Sequence, residues 1–247
     1  MWTVAQPCGP DPGPAPAAEG WRARPVEEAP AVTRGGARAW LIETDAPLRA
    51  GDRALLSPLE RARAASFATP QLAHRYAGAH VALRRILGAE LGQRPERLEF
   101  ICNPWGRPML PGAGLDFNLS HSGGFALLAV SRCGAVGADI ERTTDRPPYE
   151  ITPQVLSPVE QSFLDQRPAS EQPAAFYRFW TRKEAVAKAL GRGLDTDVIG
   201  LDVGLPTAAT RRMRWHFPPL PRIPDFATAL AFSIPPQVLD AWVYLVP

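Results

Sequence analysis

One short sequence occurs twice in the chain, as SPLE at residues 57–60 and as SPVE at residues 157–160. In each copy the serine can cap a helix, and the proline suits the first helical position. A long helical pattern follows each copy, over residues 71–91 and over residues 172–190, where Gly191 ends it. The repeated order of elements predicts an α+β fold of two tandem, pseudo-symmetric halves, each a duplicated strand–helix–strands unit.

Composition sets the outer boundaries of these halves. Residues 1–36 are rich in Pro, Ala and Gly and predict a disordered tail, so we expect removal of residues 1–34 to leave activity nearly unchanged. The alternative is that Trp2 and Trp21 dock on the body. The N-terminal half then covers residues 37–134, and the C-terminal half covers residues 135–247.

Short apolar runs between turn residues predict the strands. We expect two of them, at residues 125–130 and 135–140, to form a hairpin joined through Cys133-Gly134. The remaining strands are predicted at residues 39–43, 98–101, 214–217, 228–232 and 241–244.

The overall composition excludes several classes of protein. Of the 247 residues 45% are hydrophobic, which is enough for a folded interior, yet no apolar run approaches the roughly 18 residues of a membrane helix. The 27 basic and 25 acidic residues give a net charge of +2, too small to indicate nucleic-acid binding. The three cysteines show no CxxC spacing, and no signal peptide is recognisable. We therefore expect a soluble, cytoplasmic protein without a nucleic-acid or membrane partner.

The first cluster that could carry chemistry is Asp139 and Glu141. On a strand these positions share a face, and two adjacent carboxylates raise each other's pKa unless a cation lies between them. The alternative is a strand end whose charges simply face water.

The second cluster lies on the predicted helix over residues 172–190. Phe176, Trp180, Glu184 and Lys188 follow one another at four-residue spacing and so form one stripe. A glutamate and a lysine in line with two aromatic residues are unusual for a solvent face. The alternative is an ordinary exposed Glu–Lys pair, worth about 0.3–0.5 kcal/mol.

The third cluster is the polar stretch FNLSHSGG at residues 117–124. As a loop it could direct backbone N–H groups and the imidazole of His121 at a phosphate. It lacks the strand–loop–helix pattern of the Walker type, so it does not indicate a nucleoside triphosphate. The alternative is a histidine that only stabilises a turn.

Together and in this order, the clusters resemble a known family. NLSHSG at residues 118–123, VGADIE at 136–141 and FYRFWTRKEAVAKALGRGL at 176–194 are similar to segments of the 4′-phosphopantetheinyl transferases, as is GRP at 106–108. The likeness is to the larger, duplicated, monomeric type that activates peptide and polyketide synthases. It covers about residues 55–200.

The resemblance implies a reaction and a set of residues for it. Such enzymes transfer the 4′-phosphopantetheine arm of coenzyme A to a serine of an apo acyl or peptidyl carrier protein, with Mg²⁺, and release adenosine 3′,5′-bisphosphate. It implies an active site between the two halves, with Glu184 as general base and Lys188 beside the phosphates. The metal ligands would be Asp139, Glu141 and Glu184. The coenzyme A ligands would be Arg63, Arg75, Gly106, Arg107, Pro108, Asn118, Leu119, Ser120, His121, Asp139, Glu184 and Lys188.

Several points stay open at this stage. Glu60 is acidic where some relatives have a basic residue, so the nucleotide end depends more on Arg63 and Arg75, with Arg61 as an alternative to Arg63. The carrier protein would contact an apolar surface with basic edges, from after Glu141 to about residue 163, with some contribution from the second long helix. Two other hypotheses remain: a catalytically silent relative that only binds coenzyme A or a carrier protein, and an unrelated Mg²⁺-dependent phosphate enzyme.

Overall fold

The computed structural model describes residues 20–194, 196–204 and 215–245 of the chain. It shows a mixed α+β protein in which two long helices pack on opposite sides of paired sheets. In the described residues no helix is long and apolar enough to cross a membrane. The helices are α1 Pro58–Ala65, α2 Pro70–Leu91, α3 Thr152–Val155, α4 Pro158–Asp165, α5 Gln172–Leu190 and α6 Thr196–Ile199.

The strands form one larger and two smaller sheets. The larger sheet has the order β1-β9-β2-β6-β5, with β2, β6 and β5 antiparallel to one another and β9 parallel to β1 and β2. Strand β7 pairs only with β8 among the described strands, and β3 pairs with β4. The strands are β1 Arg22–Arg24, β2 Ala37–Glu43, β3 Ile101–Cys102, β4 Pro108–Met109, β5 Asp116–Ser122, β6 Phe125–Ser131, β7 Val136–Arg142, β8 Phe226–Phe232 and β9 Leu239–Tyr244.

The helix starts predicted from the repeated tetrapeptide are confirmed. Ser57 caps α1 through its side chain, and the carboxylate of Glu60 accepts a hydrogen bond in return from the Ser57 N–H at 2.7 Å. Ser157 and Glu160 form the same reciprocal box at the start of α4. Each box satisfies N–H groups that a helix leaves unpaired in its first turn. The long helices α2 and α5 also lie where helical periodicity predicts them.

The core is arranged in four layers. One face of the larger sheet packs against α2 through side chains such as Trp40, Leu83 and Leu128. Its other face packs against β7 and β8, and α5 covers the far side of that two-stranded sheet through Ala185 and neighbours. Strand β7 is therefore enclosed between β5, β6 and α5, which places Asp139 and Glu141 in the middle of the molecule.

The predicted hairpin between residues 125–130 and 135–140 is wrong. Strand β6 pairs with β2 and β5, whereas β7 pairs with β8. The true hairpin joins β5 to β6 through Gly123 and Gly124, whose positive φ angles of 54° and 89° suit a tight turn. The polar cluster at residues 117–124 is consequently a strand and its turn rather than a loop.

The described part of the predicted tail, residues 20–36, packs on the body. Strand β1 pairs with β9, and the side chains of Trp21, Val26 and Val32 are buried. The N–H of Val32 donates to the Glu90 carboxylate at 2.7 Å. Docking of Trp21 was the alternative to a disordered tail, whereas Val26 and Val32 carry no periodic pattern that would indicate their burial. Residues 1–19 lie outside the described residues.

Two of the predicted strands differ in extent. Of the strand expected at residues 98–101, only Ile101 lies in a strand: it begins the two-residue β3, which pairs with β4. Of the strand expected at residues 214–217, the described part forms a single bridge between His216 and Phe232, and Arg214 lies outside the described residues. The strands expected at residues 39–43, 228–232 and 241–244 are confirmed as β2, β8 and β9.

Candidate active site

Helix α5 lies directly on strand β7, and Gly137 permits this approach. A Cβ atom at Gly137 would lie 2.6 Å from the Ala189 nitrogen and would overlap the carbonyl oxygen of Ala185. Any side chain at this position would therefore push the helix away from the strand. The close approach brings Glu184 and Lys188 of α5 next to Asp139, two residues further along β7.

The centre of the site is the Asp139 carboxylate, which is fully buried. Its Oδ1 atom accepts hydrogen bonds from Lys188 Nζ and, at 3.0 Å, from the Ser120 hydroxyl. Lys188 also donates to Ser120 Oγ at 2.9 Å. The Oδ2 atom is buried without a hydrogen-bond partner among the described residues. A buried carboxylate oxygen without a partner is costly, which indicates a place for a further positive group.

Glu141 and Glu184 surround the same ammonium group. Burial, with the charge of Asp139 added, raises the pKa of Glu141 to about 7. Burial and Asp139 likewise raise the pKa of Glu184 to about 7, although Lys188 opposes the shift. Burial disfavours the charged form of Lys188, but the three carboxylates outweigh it and raise the pKa of that group. One cation thus faces three acidic groups, an excess of negative charge that can attract another cation.

Polar side chains on alternate positions of β5 replace a backbone ladder between β5 and β7. Asp116 Oδ2 accepts from the Val136 N–H at 2.8 Å, and Asn118 Oδ1 accepts from the Ala138 N–H at 2.9 Å. Ser122 continues this row: its hydroxyl donates to Glu141 at 3.1 Å and accepts from the Arg142 N–H at 3.1 Å. Together with Ser120, the row joins the two sheets and orients both strand carboxylates.

His121 and two aromatic residues of α2 lie on the other side of β5. The pKa of His121 is lowered by desolvation first, and then by the positive charges of Lys188 and His80. The His80 ring stacks on Tyr76 at 4.0 Å between centroids, and its Nδ1 lies 3.3 Å from Glu60 Oε1. Neither Tyr76 nor His80 belongs to the clusters predicted from the sequence, although their four-residue spacing on a helix places them together.

The chain is similar in sequence to proteins of one family. The sequence pattern of the 4′-phosphopantetheinyl transferase superfamily matches residues 135–231, which hold Gly137, Asp139, Glu141, Glu184 and Lys188. A 4′-phosphopantetheinyl transferase of Bacillus subtilis is 30% identical over 66% of this chain and 75% of its own length. The chain belongs to the 4′-phosphopantetheinyl transferase family.

Two cyanobacterial relatives are more similar in sequence over shorter segments. The 4′-phosphopantetheinyl transferase HetI of Nostoc is 36% identical over 57% of this chain and 62% of its own length. A provisionally named 4′-phosphopantetheinyl transferase of Synechocystis is 35% identical over 63% of this chain and 65% of its own length. The chain thus spans slightly less than two thirds of these two relatives.

The basic residues predicted to bind coenzyme A are dispersed. Arg63 is exposed and lies over the Phe67 ring, 5.2 Å from its centroid. Arg75 makes two hydrogen bonds of 2.7 Å to Asp45, and both residues lie next to Gly124, in the turn that follows His121. Arg61, the alternative to Arg63, donates to the carbonyl of Leu56.

The GRP segment at residues 106–108 lies in the β3–β4 hairpin and packs on α5. Gly106 adopts a φ of 84° in the turn, and Pro108 begins β4. Arg107 Nη2 donates to both carboxylate oxygens of Asp116 at 2.8 Å, and Nη1 donates to the carbonyl of Ala189 at 2.9 Å. Of the other predicted ligands, Asn118 is used in the β5–β7 contact, and Leu119 packs against the core.

The acidic residues of this transferase-family site suit magnesium in their donor chemistry. In the described part of the chain, no three His, Cys, Asp or Glu side chains are already spaced to hold a metal ion. The free Oδ2 atom of Asp139 nevertheless points to an unmet need for a cation, and Glu141 and Glu184 add carboxylate oxygens beside it. Oxygen donors of this kind are what Mg²⁺ prefers.

Proposed function

We propose that this protein transfers the 4′-phosphopantetheine group of coenzyme A to a serine hydroxyl of an apo carrier protein. The products are the holo-carrier protein and adenosine 3′,5′-bisphosphate. The observation that carries the proposal is the buried Asp139 carboxylate, held by Lys188 and Ser120 and surrounded by two carboxyl groups of raised pKa. Phosphoryl transfer needs such a set of groups: a base for the nucleophile and positive charge for the phosphates.

Glu184 serves as the general base. Its pKa of about 7 lets it accept the proton of the carrier serine near neutral pH, at a carboxylate oxygen, directly or through a water. The serine oxygen then attacks the phosphorus of the phosphopantetheine arm, and the bond to the second phosphate breaks. Lys188 holds its ammonium beside Asp139 and stabilises the charge that the leaving phosphate gains.

Asp139, Glu141 and Glu184 would hold a magnesium ion in this site. When bound, the ion would neutralise charge on the pyrophosphate and help to orient it. Ser120 and Ser122 fix the two strand carboxylates by hydrogen bonds of 3.0 and 3.1 Å, so this pair of ligands is oriented before any ion arrives.

The nucleotide end of coenzyme A binds beside β5 and α2. His121, Ser120, Asn118 and Leu119 supply the strand side of this subsite, and Gly106 and Pro108 supply the hairpin side. Arg63 and Arg75 provide positive charge for the phosphates, for which Arg75 exchanges Asp45 for a phosphate oxygen. Arg107 is left out of this set because both terminal nitrogens of its guanidinium already bind protein acceptors, which lie on three different elements.

We propose that the two halves, residues 37–134 and 135–247, are pseudo-symmetric and that the site lies between them. Matching ion pairs support this proposal. The capping glutamate of α1, Glu60, pairs with Arg84 of α2 at 2.7 Å, and the capping glutamate of α4, Glu160, pairs with Lys183 of α5 at 2.8 Å. Because both halves come from one chain, we expect the protein to be a monomer. We also propose that it works in the cytoplasm and that its substrates are polyketide or nonribosomal-peptide carrier proteins.

We place the carrier protein on the segment from Glu141 to residue 163. Helix α4 offers an apolar surface here, with 47% of Val159 exposed next to Pro158 and Phe163. Arg142 and Arg146 lie at the edge of this segment and can attract an acidic carrier protein.

Chromatography of the nucleotide products tests the reaction. The protein is incubated with coenzyme A, Mg²⁺ and an apo carrier protein, and adenosine 3′,5′-bisphosphate should appear in step with loss of apo carrier. A matched reaction with Asp139→Asn should release none. Coenzyme A binding without any release, across several carrier proteins, would support the catalytically silent relative instead.

A further inference from the structure

We infer that Arg107 is a positioning residue, which acts through the last turn of α5 to hold Lys188 at Asp139. The inference rests on the proposed function and concerns a cluster that we call the clamp, formed by Asn103, Arg107 and Asp116. The Arg107 guanidinium binds acceptors on three elements at once. It contacts Asp116 and the carbonyl of Phe117 on β5, the carbonyl of Val136 on β7 and that of Ala189 on α5.

The clamp satisfies carbonyl groups that the helix cannot pair by itself. The last four carbonyls of an α-helix have no intrahelical donor. Arg107 Nη1 donates to the Ala189 carbonyl at 2.9 Å, and Asn103 Nδ2 donates to the Gly191 carbonyl at 2.6 Å. The two groups approach closely: a Cβ at Gly191 would lie 2.7 Å from Asn103 Nδ2, so the Asn103 side chain would have to shift to admit one. Gly191 also has a φ of 70°.

The elements that the clamp joins are those that Lys188 joins. Lys188 precedes Ala189 by one residue, and its ammonium reaches Asp139 on β7 and Ser120 on β5. Two neighbouring residues of α5 are thus tied to the same two strands, one by its backbone carbonyl and one by its side chain. Without the clamp, the last turn of α5 would be more mobile, and the Lys188 ammonium would no longer be held at one position beside Asp139.

The guanidinium is poorly suited to bind a phosphate. Only 12% of the Arg107 side chain is exposed, and Asp116 already balances its charge with a two-point contact. Asp116 is itself held by the Val136 N–H at 2.8 Å. To bind a phosphate, Arg107 would have to break its hydrogen bonds to one carboxylate and three carbonyl groups. The free-energy cost of this exchange is larger than for an exposed arginine, which has only water to displace.

Steady-state kinetics with two substrates separate the roles. Arg107→Met and Arg107→Lys are compared on coenzyme A and 3′-dephospho-coenzyme A, with the exposed Arg97→Met as the matched control. For Arg107→Met we expect kcat to fall about 10²-fold while KM stays within about threefold. The preference for coenzyme A over the dephospho form should stay as in the wild type, with Arg107→Lys partly active.

Other kinetic results would contradict the role of Arg107 as a positioning residue. A raised KM with loss of the preference for coenzyme A would make Arg107 a phosphate ligand and overturn the inference, as would unchanged kinetics. If Arg107→Met fails to fold, Asn103→Ala takes its place. It removes the bond to Gly191, together with the bonds that Asn103 Oδ1 accepts from the Trp105 and Arg107 N–H groups, and it leaves every charge in place. It should lower kcat without changing KM, and an unchanged kcat would overturn the inference.

Hydrogen exchange tests the clamp separately from the reaction. If the wild-type protein transfers no phosphopantetheine, the proposed function is wrong, but the role of the clamp in holding the end of α5 can still be tested. Amides at residues 188–192 should then exchange faster in Asn103→Ala and Arg107→Lys than in Arg97→Met. Equal exchange in all variants would show that the clamp does not hold the end of α5.

Discussion

Glu184 differs from an ordinary surface glutamate in the environment of its carboxyl group. Burial and the charge of Asp139 raise its pKa to about 7, against an ordinary value of 4.5. The sequence could place Glu184 and Lys188 on one helical stripe, because helix spacing is local. It could not show that Asp139 would be fully buried between them, since that depends on how α5 packs against β7.

We expect Glu184→Gln to lose transfer activity by about 10²- to 10⁴-fold, because the amide cannot take the serine proton. Coenzyme A binding should persist, since the phosphates are held by other groups. Rates are measured with an apo carrier protein, and binding is measured by calorimetry. The exposed Glu99→Gln is the matched control. Wild-type rates in Glu184→Gln would remove Glu184 from the mechanism.

Elements with a local signal were predicted well, and those defined by pairing were not. Helices α2 and α5 follow from periodicity and caps within their own sequence. The sequence of strand β5 predicts a loop, because Asn118, Ser120 and Ser122 are residue types that are typical of turns. Their partners are on β7, about twenty residues further along the chain, so only the assembled sheets reveal that these side chains replace a backbone ladder.

The contact between α5 and β7 makes Gly137 sensitive to the smallest substitution. We expect Gly137→Ala to destabilise the protein by about 1–3 kcal/mol and to lower activity, because its Cβ would meet the backbone of α5. Gly78→Ala is the matched control: it lies within α2, and its Cβ would be 3.1 Å from the Thr44 carbonyl oxygen. Thermal unfolding of both variants decides the point. Equal melting temperatures would contradict the close packing of α5.

At the scale of the whole molecule, the segment at residues 20–36 acts as a strap across the larger sheet. Trp21, Val26 and Val32 are buried, and the Glu90 carboxylate links Val32 to Arg38 at 2.7 and 2.9 Å. The composition of this segment predicts a disordered tail, because prolines interrupt every periodic pattern. Three apolar residues that are not adjacent in sequence can nevertheless hold such a segment in place, when their side chains are buried against parts of the chain that are distant in sequence.

Removal of residues 1–34 should therefore destabilise the protein, in contrast to what composition suggests. Each large apolar side chain withdrawn from the core costs about 1.5–3 kcal/mol. We expect the melting temperature to fall by about 10 °C or more relative to a chain lacking only residues 1–19, which keeps these contacts. Scanning calorimetry of the two truncated chains checks this. Equal melting temperatures would show that the strap contributes no stability.

The pH dependence of global stability should show the contribution of Glu60. Burial alone would raise its pKa, but hydrogen bonds from His80, the Ser57 backbone and Arg84 outweigh it and lower the pKa to about 2. The stabilisation is therefore complete above the unfolded value of about 4.5 and is lost as the pH falls toward 2. Denaturant unfolding should show the wild type more stable than Glu60→Gln at pH 6, with the difference shrinking below pH 4.5. A constant difference would contradict the shift.

Intact-mass spectrometry of a carrier protein is a direct test of the proposed transfer. An apo peptidyl or acyl carrier protein is incubated with this protein, coenzyme A and Mg²⁺, beside a carrier variant whose acceptor serine is alanine. We predict that only the serine form gains the mass of one phosphopantetheinyl group, and that it gains no mass when a chelator is present during the reaction. No gain on any carrier protein, while coenzyme A binds, would contradict the proposed transfer.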